Sequence, residues 1–276
     1  MIGLNVNKFI HTTIILILFL LTMLSSGAYA QRGGARERGT ESKKENITET
    51  GLQPVFSQGY QCPKITSAFA ATTDGGGNRR DPAIHGGKHG GVDIGFAVGH
   101  PLIAVAGGQV VAKGPESGEG AQMEGIFLWL RHSPEDTGLP FWTFSKYQHL
   151  KERSPLNIGD RVRPGQVVAT GGDTGTYSRK FNGGSLPHLH MSTFISEHED
   201  YEVMGRDRNI VRAREPLGVD MMILFIQGIS MDKARSNPAQ DGIDKRLSVA
   251  ASTWEGQLSD PAARLVWPVA CKKAGQ

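Results

Sequence analysis

Nine histidines are scattered through the 276 residues, and four of them, with one aspartate, fall into spacings that chemistry can use. The first is His89-Gly90-Gly91-Val92-Asp93. In an extended chain, positions i and i+4 share a face, so an imidazole and a carboxylate could reach one ion. The two glycines argue against a helix. The second is His188-Leu189-His190, whose imidazoles point the same way at the two-residue strand period. The third is Tyr147-Gln148-His149, placing His149 at the end of an expected strand. Neutral imidazole and carboxylate are common zinc ligands, and catalytic zinc sites keep three protein ligands and one open position. Two His and one Asp supply that set, and further histidines remain to move protons. Taken singly, each pattern is more often accidental than functional; their coincidence carries the argument.

These residues need strands to hold them. Leu102–Ala106 and Gln109–Lys113 flank Gly107-Gly108, which is hairpin chemistry. Residues 125–131 and 141–147 are aromatic-rich and separated by turn residues. Residues 161–169 hold a Pro164-Gly165 turn and then a strand, and His188–Ile195 alternates and is rich in β-formers. Residues 222–226 form a further short strand or a buried turn. Glycine makes up 36 of 276 residues, about twice the usual ~7%, which suits many turns and short strands. The best helical signal is late, where Ile243, Leu247, Ala250, Trp254 and Leu258 recur every three or four residues. It predicts an amphipathic helix over that stretch. The expected fold is mainly β and largely antiparallel, with a small C-terminal appendage containing some helix.

The ordered set His89-Gly-Gly-Val-Asp93, Tyr147-Gln-His149-Leu150 and Pro187-His188-Leu-His190 resembles the lysostaphin-type (LytM-like) zinc metallopeptidases of the bacterial cell wall. Ile65–Phe69, His100–Gly114, Val162–Gly171 and Thr174-Gly175 add to the likeness, which covers roughly residues 60–226. The resemblance implies a pair of antiparallel sheets forming an open groove. It implies one Zn2+ held by His89, Asp93 and His190, with His149 and His188 as non-ligand catalytic histidines. It implies hydrolysis of peptide bonds in peptidoglycan, with the cross-links as the expected target. Which of His149 and His188 is the general base stays open, as do the substrate-binding residues. Two departures stand out. Residues 176–186 are longer than the usual link, which suggests a loop over the groove. The Gly-x-Pro before the expected hairpin is Gly99-His100-Pro101; His100 is read as a solvent-facing turn residue, with an extra imidazole near the site as the alternative. His85, four before His89, offers a competing H-x-x-x-H pair. His132 and His198 are read as surface residues without partners. Ser67, Ser145 and Ser192 show no nucleophile-elbow pattern.

The ends frame the domain. Lys8, the apolar run Ile14–Leu21 and Ala28-Tyr-Ala30 read as a signal peptide over 1–30, too short in its apolar run for a spanning helix of ~20 residues. No stable membrane span is expected after cleavage. Residues 31–50 carry 5 Lys+Arg and 4 Asp+Glu and read as a flexible linker or short pro-segment. Without residues 1–50 the chain has 24 Lys+Arg against 23 Asp+Glu, so a nucleic-acid partner has no support. The peptidase domain is placed at 51–226 and the appendage at 227–276. Cys62 and Cys271 are too few for a four-thiolate zinc site. In an exported chain the even pair reads as a disulfide tying the appendage back; two buried free thiols are the alternative. The expected location is outside the cytoplasm, the periplasm before the extracellular space. Two other readings are carried forward: a non-catalytic LytM-like module that binds or activates another wall hydrolase, and a secreted zinc peptidase acting on proteins.

Overall fold

The computed structural model describes residues 48–83, 85–115, 125–176, 186–205, 210–236 and 242–275. The signal peptide, the linker up to residue 47 and most of the 176–186 loop lie outside the described residues. Among the described residues sixteen strands follow in chain order: β1 (Gln53–Val55), β2 (Tyr60–Gln61), β3 (Ile65–Ser67), β4 (Val92–Gly95), β5 (Pro101–Ile103), β6 (Gly108–Gly114), β7 (Ile126–His132), β8 (Trp142–Leu150), β9 (Arg161–Val162), β10 (Val167–Thr170), β11 (His188–Ser196), β12 (Tyr201–Met204), β13 (Ile210–Ala213), β14 (Leu217–Val219), β15 (Arg246–Ser248) and β16 (Lys272–Lys273). Helix among the described residues is confined to α1 (Pro134–Thr137), α2 (Met231–Arg235) and two 3-10 turns, His85–Gly87 and Met221–Phe225.

The main sheet is ordered β3-β4-β11-β8-β7-β6-β9, with β14 pairing β11 as its eighth strand. Its ladders are antiparallel. Successive side chains of a strand point to opposite faces of the sheet. On β11, Leu189, Met191 and Ile195 are fully buried. They join Ile94, Leu128, Leu130 and Tyr147 in one core with the Met221–Phe225 turn, Trp267 and Val269. The opposite face carries His188, His190 and Ser192.

Residues 102–113 do not form the expected hairpin. β5 pairs with β10 in a separate two-stranded sheet, while β6 pairs with β7 and β9. The chain leaves one sheet for another across Gly107-Gly108. Gly108 answers to packing rather than to a tight turn: a Cβ there would lie 2.6 Å from the Arg131 carbonyl and 2.6 Å from His132 Nδ1.

The late periodic stretch is not a helix either. Leu247 lies in β15, which runs parallel to β1, and Ala250 and Ser252 make isolated bridges to Val266 and Leu258. Leu247 and Val249 are buried by extended pairing rather than on a helical face, so tertiary pairing overrides a helical period. The C-terminal residues belong to the same compact unit as the sheet, Ile47–Gln276. Trp267, Val269 and Ala270 are fully buried. Cys62 and Cys271 form a disulfide across a sequence separation of 209.

Candidate metal centre

Residues directly opposite one another in an antiparallel ladder share a face. Ser67, Asp93, His190, Gln148 and Phe127 are successive partners across β3, β4, β11, β8 and β7. This single row brings Asp93 and His190 side by side, with His190 Nδ1 2.9 Å from Asp93 Oδ1. His188 lies one strand period along, opposite Gly95, with Nε2 3.7 Å from Asp93 Oδ1.

His89 reaches the row from an irregular segment ahead of β4, not from a continuous strand. Its amide donates to the Ala71 carbonyl at 3.0 Å and its carbonyl accepts from Ala70 at 2.9 Å. These bonds fix the backbone so that His89 Nε2 lies 3.1 Å from Asp93 Oδ1 and 3.0 Å from His190 Nδ1. Gly91 is what lets the chain pass: a Cβ there would meet the Met191 carbonyl at 2.6 Å and His190 Nε2 at 2.7 Å.

On His89 the remaining imidazole nitrogen defines the tautomer, because a carbonyl can only accept. His89 Nδ1 donates to the Ala68 carbonyl at 2.9 Å, with Ser67 Oγ 3.3 Å away. His190 Nε2 lies 3.1 Å from Ser192 Oγ. With its proton on Nδ1, His89 turns a bare Nε2 lone pair toward the Asp93 carboxylate, and His190 Nδ1 does the same when its Nε2–H donates to the Ser192 hydroxyl. Three acceptors so close together repel unless a cation lies among them. The donor set of two imidazoles and one carboxylate, with its ligand atoms within 4.8 Å of one another, fits zinc. Outer hydrogen bonds of this kind orient metal-ligating histidines.

Burial pushes the Asp93 carboxyl up, but when the His190 and His89 rings instead carry protons toward it, their hydrogen bonds and charge outweigh that push and hold it well below the usual carboxylate range. Arg80, which sequence reasoning passed over, adds to this electrostatic setting. Its Nη2 lies 3.8 Å from Asp93 Oδ2 and donates to Ser67 Oγ at 3.0 Å. No motif marks Arg80; only the fold brings residue 80 to residue 93.

His149 arrives by a different device. The ladder between β7 and β8 shifts register so that Gln148 opposes Phe127 while Leu150 opposes Ile126. His149 is the extra residue, and its φ is +64°. Such a bulge re-aims a side chain and concentrates at active sites. Tyr147 and Leu150 therefore both enter the core, while the His149 ring sits 4.8 Å from His188 and 6.0 Å from His190. His149 Nδ1 donates to the Thr174 carbonyl at 2.7 Å, and His188 Nδ1 to the Leu186 carbonyl at 2.8 Å. Each then has a bare Nε2. Burial, reinforced by His188 and His190, pushes the His149 pKa down to about 3, so it is neutral at neutral pH.

Three other histidines differ from their sequence reading. His132 is fully buried, donating from Nδ1 to the Gly107 carbonyl at 2.7 Å and accepting at Nε2 from Ser145 Oγ at 2.7 Å. The alternation of β7 turns it inward. His198 Nε2 lies 3.6 Å from Glu215 Oε2. His100 is partly buried and donates from Nε2 to the Ala270 carbonyl at 2.7 Å, clasping the C-terminal segment. His85 lies in the first 3-10 turn.

Comparison with known proteins fits this geometry. Residues 87–201 match peptidase family M23, a span that holds all five residues of the cluster. Lysostaphin of Staphylococcus simulans is 31% identical over 114 residues, 41% of this chain and 19% of that protein. The glycyl-glycine endopeptidase ALE-1 of Staphylococcus capitis is 34% identical over 109 residues, 39% of this chain and 25% of that protein. The chain thus spans about a quarter or less of the length of these relatives. Among solved structures, the catalytic domain of S. simulans lysostaphin aligns with 50% of this chain and 84% of its own, at 24% identity and a TM-score of 0.36. Residues 87–201 of this protein thus match peptidase family M23 and are similar in sequence to lysostaphin.

Proposed function

We propose that this domain is a zinc-dependent endopeptidase that hydrolyses peptide bonds in peptidoglycan. One observation carries the reading. Three metal-type donor atoms converge beside two histidines whose Nδ1 atoms face carbonyls, which leaves each a bare Nε2. His89 Nε2, Asp93 Oδ1 and His190 Nδ1 would hold the ion. Zinc at that position supplies Lewis acidity, polarising a carbonyl and making water more acidic. His149 and His188 do the proton work: either Nε2 takes a proton from the nucleophile and returns it to the leaving amine. Their Nδ1–H bonds to the Thr174 and Leu186 carbonyls hold both rings in the tautomer that this requires. The relatives' peptidase chemistry supports the same bond class, and the Cys62–Cys271 disulfide suits an exported protein in an oxidising compartment.

The test pairs metal content with turnover. Purified protein should bind one zinc and release peptides from isolated walls in a chelator-sensitive way, and mass spectrometry of the released muropeptides would identify the bond cut. His188→Ala should keep the zinc and lose at least ~100-fold in rate, the usual scale for a lost acid–base group. Full zinc occupancy without cleavage of any wall would favour a non-catalytic binding module. Lysis that persists without metal would refute the mechanism.

A further inference from the structure

A series of contacts, through the backbone of Gly171 and Gly172 and then three rings, leads away from the proposed catalytic histidines toward the C-terminal segment. The His149 carbonyl accepts from Gly172 at 3.0 Å, and the neighbouring Gly171 amide donates to the His100 carbonyl at 2.7 Å. Gly171 packs directly on Phe96; a Cβ there would lie 2.5 Å from that ring. Phe96 stacks on His100 with centroids 5.5 Å apart and planes at 15°. His100 in turn meets Trp254 edge to face at 5.0 Å. Since adjacent strands lie ~4.8 Å apart, the His100 backbone is about 10 Å, two strand spacings, from that of His149.

Trp254 is 44% exposed, although indole is among the most apolar groups a chain can carry. It is also held rigidly. The turn around it closes through Thr253 N–H to the Gln257 carbonyl at 2.9 Å and Gly256 N–H to the Thr253 carbonyl at 3.0 Å. Thr253 bridges to Cys271 of the disulfide, and Glu255 and Gln257 stand exposed beside it. An exposed indole on a stacked base, flanked by polar side chains, is built to receive a ring with one apolar and one hydroxylated face. Polarised C–H groups are drawn to the negative aromatic face, and the neighbouring amide and carboxylate can bond hydroxyls.

We propose that Phe96, His100 and Trp254 form an aromatic subsite in which Trp254 receives a pyranose ring of the peptidoglycan glycan strand. The proposal rests on the endopeptidase reading above and goes further by assigning a sugar-binding role to residues outside the metal cluster. One of them lies beyond the matched family span. In a wall substrate the glycan is joined to the scissile peptide through a short stem, so a sugar site beside the catalytic face lets one chain engage both.

Two measurements test it. Calorimetric titration with the tetramer of N-acetylglucosamine should show saturable binding, weakened about tenfold in Trp254→Ala, the scale of one aromatic stacking contact. Trp254→Phe should restore most of the affinity. On intact walls Trp254→Ala should raise KM about as much at unchanged kcat, while a sugar-free cross-linked peptide is cut equally well by both proteins. A wild-type protein that fails to bind the tetramer, or a Trp254→Ala variant that binds it unchanged, would overturn the subsite. Equal losses on walls and free peptide would also overturn it, since they mark a structural role. If the wild type cuts neither substrate, the endopeptidase reading fails and the titration still decides the subsite.

Discussion

Replacing Gly91 by alanine probes the metal centre without touching any proposed ligand. Gly91 has no left-handed backbone to protect, so the effect is one of space. The new Cβ would lie 2.6 Å from the Met191 carbonyl and 2.7 Å from His190 Nε2. The carbonyl belongs to a paired strand and has little room to move. The imidazole would have to retreat by about 0.7 Å to reach the 3.4 Å of an ordinary contact, several times the roughly 0.2 Å tolerance of a metal–ligand distance. It would also strain the bond to Ser192. Overpacking costs roughly 1–3 kcal/mol of stability, and loss of a tuned ligand geometry about 10–100-fold in metal affinity. Competition against a chromophoric zinc chelator measures the second, and denaturant unfolding of the metal-free protein the first. Gly75→Ala is the control, because a Cβ there meets nothing within 4 Å. If Gly91→Ala bound zinc within twofold of wild type and unfolded at the same denaturant concentration, the account of this close approach would be wrong.

Two further predictions concern stability. His132 is fully buried, and burial pushes its pKa from 6.5 down to about 4. Above pH 6.5 it is neutral in both states and costs nothing. As pH falls from 6.5 to about 4 the unfolded chain takes a proton that the folded one refuses, which removes about 3 kcal/mol. Urea melts at pH 7 and pH 4.5 should show that loss, and His132→Gln should flatten it; an unchanged pH slope in the variant would assign the effect elsewhere. Cys62→Ser with Cys271→Ser opens a loop of 209 residues, for which chain entropy sets an upper figure of about 5 kcal/mol. The midpoint of the double variant should fall accordingly, and equal midpoints for oxidised wild type and variant would show that the bond adds nothing.

Much of the site was legible because its spacings are short. The His188–His190 pair needs only the two-residue period of one strand, and β11 supplies it. His89 and Asp93 are near in the chain, and the glycines between them mark a backbone that something must pass closely. That something proved to be Met191 and His190. The two side chains do lie close together, though not by sharing a strand, since His89 stands outside it. The late apolar period misled, because buried extended segments and amphipathic helices can share the same spacing. Gly107-Gly108 misled for a related reason: a glycine needed by a close neighbour looks like one needed by a turn.

The sequence by itself determined residue chemistry and local period. Those suffice to nominate two imidazoles and a carboxylate for a metal, two more imidazoles for proton transfer, and a mainly β frame to carry them. Tertiary structure decided what depends on register and on distant chain. A one-residue bulge turns His149 from the core to the face that carries His188 and His190, and strict alternation read along β8 points the other way. Arg80, Ser67 and the Ala68 carbonyl meet the cluster only because β3 and the following loop lie against β4. His132, indistinguishable in sequence from a surface histidine, is buried because β7 runs through the middle of the sheet. Side-chain direction along a strand is a local property, but which strands are neighbours, and where one of them slips by a residue, is set by the packing of the whole core.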